Sequence, residues 1–325
     1  YCRLNNAGGK VIISYSKQEV IKLTMIDIHN LTKDYGGGKG VFDVSISIKK
    51  GEVYGYLGPN GAGKSTTMRH LMGFIRPQSG RVCINGMDCW KDQKKIQRTL
   101  GYLPGEISFP DDMTGSAYLK LIAKMRGMKN FSYAEELLDL FKIDPGSGIK
   151  RMSKGMKQKI GIVAAFMHDP EIILLDEPTS GLDPLMQNNF IDLIEREKKK
   201  GKTILLSSHI FEEVEKTCDR VGMIQSGRLI KEFTIDDLRH SQMKTYKIGF
   251  NDISDAERIN RIYPDASFNR EKKQMTVSLS DSDINGLIFE LSSCDIHFLS
   301  EEKHTLEEYF MKFYGGDNDD KLSIS

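Results

Sequence analysis

The chain has 325 residues, 39% hydrophobic and 28% charged, which suffices for packed cores and excludes disorder over its whole length. Lys+Arg 46 against Asp+Glu 45 leaves a formal net charge of +1, far from the basic excess of a nucleic-acid coat protein. Mean hydropathy is −0.39 and apolar runs such as Ile172–Leu175 are too short to cross a bilayer, so a role at a membrane calls for a partner. At roughly 150 residues per domain, the length predicts two domains. Cys2, Cys83, Cys89, Cys218 and Cys294 are scattered without a CxxC pair, which fits a reducing compartment and argues against a disulfide scaffold or structural zinc site.

Residues 1–24 lack the apolar core of a signal peptide, and Met25 opens a well-patterned strand. Gln18-Glu19-Val20-Ile21 can be encoded by CAG-GAG-GTG-ATT, which contains a bacterial ribosome-binding sequence. Met25 is the expected start, and residues 1–24 the expected leader or else a short disordered extension; native peptides from before Met25 in a mass spectrum would contradict the leader. Ile26–Leu31 reads as a strand ending near Tyr35, followed by a Gly36-Gly37-Gly38 turn. Val41–Ile48 alternates apolar and polar, as a half-buried antiparallel strand does, and Val53–Leu57 is a third strand.

Gly58-Pro59-Asn60-Gly61-Ala62-Gly63-Lys64-Ser65-Thr66 then matches G-x-x-x-x-G-K-S between that strand and a helical run over Thr67–Gly73. This is the setting of a phosphate-binding loop. Glycines let backbone N–H groups turn inward around phosphate oxygens, and the helix N-terminus adds its dipole. Lys64 is expected on the β/γ-phosphates and Ser65 on Mg²⁺. Further on, Ile172–Leu175 runs straight into Asp176-Glu177. A continuous apolar run suits a buried parallel strand whose C-terminal end opens on a ligand crevice. There Asp176 is expected to hold Mg²⁺, and Glu177 to orient and deprotonate an attacking water.

From about Met25 to Leu238 the chain resembles the ATP-binding cassette of the ABC transporter family. Met152-Ser153-Lys154-Gly155-Met156-Lys157-Gln158 is similar to the family signature LSGGQ, with Ser153 and Gly155 matching and Lys154 and Met156 departing. The resemblance implies that Ser153 and Gly155 contact the γ-phosphate held by a second cassette. Ser180-Gly181-Leu182-Asp183 resembles the loop that couples two such sites, and His209, after the apolar run Ile204–Ser208, resembles the family's γ-phosphate switch histidine. Tyr35 stands where the family stacks an aromatic on adenine. The family's Mg²⁺-sensing glutamine is absent: Gly105 aligns with it and Glu106 follows, so Glu106 is either a replacement oxygen ligand or a solvated charge.

Thr114–Phe141 carries two amphipathic helical stretches, which by resemblance form the lobe that docks a membrane subunit. Lys198-Lys199-Lys200 reads as a complement to a helix C-terminus rather than a nucleic-acid patch. After Leu238, strands at Tyr246–Phe250, Ser267–Phe268, Met275–Leu279 and Ile296–Leu299 and helices at Asp255–Ile262 and Ile284–Leu291 spell β-α-β-β-α-β, a ferredoxin-like order. A helix over Thr305–Tyr314 closes it, and residues 315–325 read as a disordered tail.

The expected fold is α/β: a P-loop NTPase cassette over 25–238, with a RecA-like core, an N-terminal antiparallel β subdomain and a helical subdomain. A small α+β module over 239–314 follows. The resemblance implies an ATPase using ATP and Mg²⁺, paired as a homodimer or cassette heterodimer and bound to a permease at the cytoplasmic face of a bacterial membrane. It is of the exporter type, moving a drug, peptide, lipid or ion, with no nucleic-acid partner. A translation-associated ATPase would carry two cassettes and a charged linker. A DNA-repair ATPase would carry a zinc module or coiled coil between Ser65 and Arg151. A sensory role for the C-terminal module is compatible with transport.

Overall fold

Ile26, Ile28 and Leu31 are fully or almost fully buried along β1 (Thr24–Asp34), and this stripe builds the first sheet. The computed structural model describes residues 24–110, 112–239, 244–280, 282–302 and 306–307. Of the expected leader only Thr24, the first residue of β1, is described; residues 1–23, most of the expected helix Thr305–Tyr314 and the tail from Gly315 lie outside the described residues. β2 (Gly40–Lys49) pairs antiparallel with β1, setting Ile46 against Ile28 and Ile48 against Ile26. β3 (Val53–Leu57) is buried throughout and belongs to the second sheet. Helix α1 (Lys64–Leu71) follows the phosphate-loop sequence directly. β4 (Ser79–Ile84) and β5 (Met87–Asp88) complete the first sheet, in the order β2-β1-β4-β5.

After α2 (Gln93–Thr99) and β6 (Leu100–Leu103) come the two predicted amphipathic helices, α3 (Gly115–Arg126) and α4 (Ser132–Leu140). The Thr114 hydroxyl caps α3 by accepting the Ala117 N–H at 3.1 Å, and Gly127, at φ 66°, ends it. Helix α5 (Lys154–Phe166) packs against both and buries Ile160, Ile162 and Val163. The chain then alternates β7 (Ile172–Asp176), α6 (Pro184–Lys199), β8 (Thr203–Ser208), α7 (Phe211–Thr217), β9 (Arg220–Gln225) and β10 (Arg228–Thr234).

The second sheet has the order β10-β9-β3-β8-β7-β6, parallel from β9 to β6. Parallel registry aligns the strand ends: Leu57 lies beside Ser208, and Asp176 beside Ser207. The phosphate loop, the acidic pair and the histidine turn therefore leave the sheet at one edge, the C-terminal edge where open α/β sheets bind ligands. The Lys198 ammonium pairs with Asp219 at 2.6 Å and that of Lys200 with the buried Glu197 at 2.8 Å, so both bind acids of the fold itself.

A second compact unit begins at Thr234, a few residues before the expected boundary at Arg239. It holds α8 (Ile235–Arg239), β11 (Lys244–Phe250), α9 (Ile253–Ile262), β12 (Ser267–Asn269), β13 (Gln274–Leu279), α10 (Ile284–Leu291) and β14 (Ile296–Glu302). Its sheet order β12-β13-β11-β14 is antiparallel throughout, the ferredoxin-like arrangement predicted from the element order. Ile248, Met275, Ile259 and Leu287 form its core.

Candidate nucleotide-hydrolysis site

Gly63 begins α1 at φ 109°, and a Cβ there would lie 2.8 Å from Val41 Cγ1 and 3.0 Å from the Gly40 carbonyl. Both conformation and space demand glycine. No side chain caps α1, so its first-turn N–H groups face the loop and suit an anion. Pro59, Asn60 and Gly61 form the exposed arch of the loop, while Ala62 is buried and its carbonyl accepts the Gly227 N–H at 2.9 Å. Gly58 N–H donates to the Ser208 carbonyl at 3.4 Å, tying the loop to the end of β8. Lys64 is 5% exposed; its ammonium donates to the Gly58 carbonyl at 2.6 Å and the Pro59 carbonyl at 3.1 Å, and pairs with Glu177 Oε1 at 3.1 Å. Ser65 is exposed and Thr66 half-buried on the same turn.

Asp176 is 2% exposed at the end of β7, with Oδ1 accepting the Ser207 hydroxyl. Its other oxygen faces Gly105, where a Cβ would lie 3.2 Å away. The residue beside Asp176 is thus Gly105. Glu106, one position on, is exposed and does not join Asp176 and Glu177; among the described residues no group of three or more His, Cys, Asp or Glu is placed to hold a metal. The carboxylate of Asp176 and the hydroxyl of Ser65 are the oxygen donors suited to a hard cation such as Mg²⁺.

Glu177 holds a left-handed backbone, φ 52°, which a non-glycine residue sustains only when its surroundings dictate it. They do so from two sides. Its N–H donates to the Ser207 carbonyl at 3.0 Å, and the buried Gln158 amide of α5 donates to the carbonyls of Glu177 (3.2 Å) and Pro178 (2.8 Å). The carboxylate so aimed lies between the Lys64 ammonium and the His209 ring, whose Nδ1 bonds Oε2.

Tyr35 is 52% exposed, and the Lys33 ammonium lies 5.5 Å from its ring centroid. Its loop leads into Gly40, whose carbonyl lies against Gly63 of the phosphate loop. Tyr35→Ala is expected to raise the KM for ATP on the order of ten-fold at near-constant kcat, because stacking contributes about 1–3 kcal/mol equally to ground and transition states. Steady-state hydrolysis over a range of ATP concentrations checks this; a fall in kcat at unchanged KM would count against it.

Ser153 caps α5, its hydroxyl accepting the Met156 N–H at 3.2 Å. Lys154 donates to the Ser180 hydroxyl at 2.9 Å, and a Cβ on Gly155 would lie 2.5 Å from the Gly181 carbonyl. The signature-like segment and the Ser180–Asp183 loop are therefore one surface, and Lys154, a departure from the motif, stitches them together. Asp183 caps α6 through the Met186 N–H at 3.0 Å, with Pro184 at the first position.

Ser207, Ser208, Gln158 and Glu213 shape this site without having been singled out in the sequence. Gln158 follows the signature-like residues on the buried face of α5, a signal that was open to helical spacing. Glu213 is 3% exposed and accepts the Ser208 hydroxyl at 2.6 Å; burial, then the charge of Glu177, push its carboxyl up to about 7. A carboxyl raised on folding favours the folded state while protonated, and that advantage is lost as pH climbs from its ordinary value through about 7. Glu213→Gln, which never ionises, is therefore expected to gain in Tm relative to wild type as pH rises from about 5 to about 8. A pH-independent difference between the two melting curves would refute this.

The family model described as "ABC transporter" matches residues 41–180. The bacitracin transport ATP-binding protein BcrA of Bacillus licheniformis is 33% identical over 301 residues, covering 90% of this chain and 98% of that protein. The linearmycin resistance ATP-binding protein LnrL of Bacillus subtilis (strain 168) is 37% identical over 219 residues, 66% of this chain and 70% of its own. A solved ATP-binding subunit of an ABC transporter superposes with a TM-score of 0.61 at 33% identity, over 67% of this chain and 93% of that one. With a phosphate loop, an acidic strand end and a histidine turn converging at one sheet edge, this chain belongs to the ABC transporter family as an ATP-binding subunit with ATPase activity.

Proposed function

We propose that the chain is the ATP-hydrolysing subunit of a bacterial exporter, in which two cassettes close head to tail on ATP and drive a separate membrane permease. The observation that carries this reading is the joint surface of Ser153, Gly155 and the Ser180–Asp183 loop. It offers an exposed hydroxyl and a helix N-terminus to a ligand of another chain. Lys64 and the amides of the phosphate loop bind the triphosphate, and Tyr35 stacks on adenine. Asp176 and Ser65 hold Mg²⁺, which when bound neutralises phosphate charge. Glu177 takes a proton from the water that attacks the γ-phosphorus, as the bond to the ADP oxygen breaks. His209 keeps Glu177 aimed. Among the described residues no helix is long and apolar enough to cross a membrane.

Outward transport is favoured by the relatives: one is named for bacitracin transport and another for linearmycin resistance. The match to the former extends through the C-terminal unit, and an amphipathic peptide or drug is the cargo class proposed here. The test is co-expression with the permease and inverted vesicles supplied with Mg-ATP from outside. ATP-dependent accumulation of a fluorescent amphipathic peptide, absent with Glu177→Gln, is expected. Accumulation only in right-side-out vesicles energised from within would show import instead.

A further inference from the structure

Beside Glu177 and His209 stands a third acid that hydrolysis, as assigned above, leaves unused. Glu213 accepts the Ser208 hydroxyl at 2.6 Å, and the Ser208 oxygen in turn accepts the Ile210 N–H at 2.9 Å. Those two bonds close the tripeptide Ser208-His209-Ile210 around its middle residue. Thr179, two residues after Glu177 and 3% exposed, lines the same small cavity as Glu213. Glu213 Oε1 is buried without a hydrogen bond of its own. The helix that carries Glu213 is fixed: Val214 is fully buried and packs so closely on β3 that a Cβ on Gly55 would lie 2.7 Å from it. Its neighbour Glu212, by contrast, is exposed and pairs with Lys216 on the surface at 2.6 Å.

We propose that Glu213 is a positioning residue for hydrolysis: by accepting the Ser208 hydroxyl it fastens the His209 turn to its helix, so that the imidazole stays where it meets Glu177. This rests on the assignment of Glu177 as base and His209 as its holder. The consequence is a division of labour. Lys64, Tyr35 and the phosphate-loop amides bind ATP without Glu213, so its loss spares binding. Without the carboxyl, the Ser208 hydroxyl loses its acceptor, and the turn that carries His209 loosens. An ångström-scale misplacement of a catalytic group costs on the order of 10² in rate. A neutral amide at this position still offers an oxygen to Ser208, so glutamine restores the link where alanine does not.

The test is Mg-ATP hydrolysis by the purified full-length chain. Glu213→Ala is expected to lower kcat by about 10- to 100-fold with the KM for ATP within about two-fold of wild type. Glu213→Gln is expected within about three-fold of wild-type kcat, and Glu212→Gln at the wild-type value. A wild-type kcat for Glu213→Ala would overturn the proposal. So would equal losses in the alanine and glutamine variants, or a loss of kcat and ATP binding together, which marks general damage to the fold. Should Glu213→Ala fail to fold, Ser208→Ala cuts the same link from the other side. It is expected to lower kcat at constant KM, and wild-type turnover would overturn the clamp. Glu177→Gln run alongside separates the two readings. Rapid hydrolysis by it removes the assignment of the base, whereas its inactivity beside a fully active Glu213→Ala removes only the clamp.

Discussion

Glu177→Gln protein with Mg-ATP is expected to elute as a dimer and to hydrolyse ATP slower by a factor on the order of 10²–10⁴, the usual cost of a lost general base. The amide keeps the shape of the side chain and an oxygen for the His209 ring, but it cannot accept the proton of the attacking water. The substitution also dissolves the 3.1 Å pair between Glu177 and Lys64. The ammonium is then free for phosphate, so nucleotide binding is expected to hold or tighten. Under the proposed head-to-tail arrangement, ATP is then expected to persist at both sites, between the phosphate loop of one chain and Ser153 of the other, and the closed dimer to accumulate. Adding Ser153→Arg is expected to return the protein to monomer on size-exclusion chromatography. Ser153 also caps α5, and losing a cap costs about 1 kcal/mol, so Ser153→Ala is the control that removes the cap without adding bulk. A monomeric Glu177→Gln protein, at high as well as low concentration, or a dimer indifferent to Ser153→Arg, would refute the head-to-tail arrangement.

Lys64→Ala is expected to abolish measurable turnover, a loss of at least ~10² in kcat, and to weaken ATP binding as well. Lys64 is the buried cation at the helix N-terminus, bonded to the carbonyls of Gly58 and Pro59 and to Glu177. Removing it leaves two carbonyls and a carboxylate facing an incoming triphosphate with no charge to offset them. The contrast with Glu177→Gln is the informative part: one variant loses binding and chemistry together, the other only chemistry. Fluorescent-nucleotide titration beside a phosphate-release assay separates them. Wild-type turnover by Lys64→Ala would mean that the phosphate site lies elsewhere.

Residues 58–66 announced their structure because local chemistry dictates it: glycines at the turn, a lysine and hydroxyls on the first helical turn, a buried strand before. The same holds for Ile172–Asp176, whose unbroken apolar run matches a strand buried on both faces, and for β2, whose alternation matches its burial. The C-terminal unit was legible in its element order, since β-α-β-β-α-β with short connections leaves few ways to bury both helices on one sheet.

Glu106 shows where that legibility ended. Its carboxylate is the kind of group a metal takes, and only the path of the chain past Asp176 puts Gly105 beside that carboxylate and Glu106 in solvent. Glu212 and Glu213 are a second instance. Two acids at the start of a short helix read alike as partners of its dipole, yet α7 packs so that Glu212 is exposed and Glu213 buried against Ser208. Local sequence determined which segments turn, cap and bury, because those preferences act within a few residues. Which side chains from Gly58, Asp176, Glu177 and Ser208 onward meet at one edge was decided by the parallel registry of β3, β8 and β7, which couples residues more than a hundred positions apart.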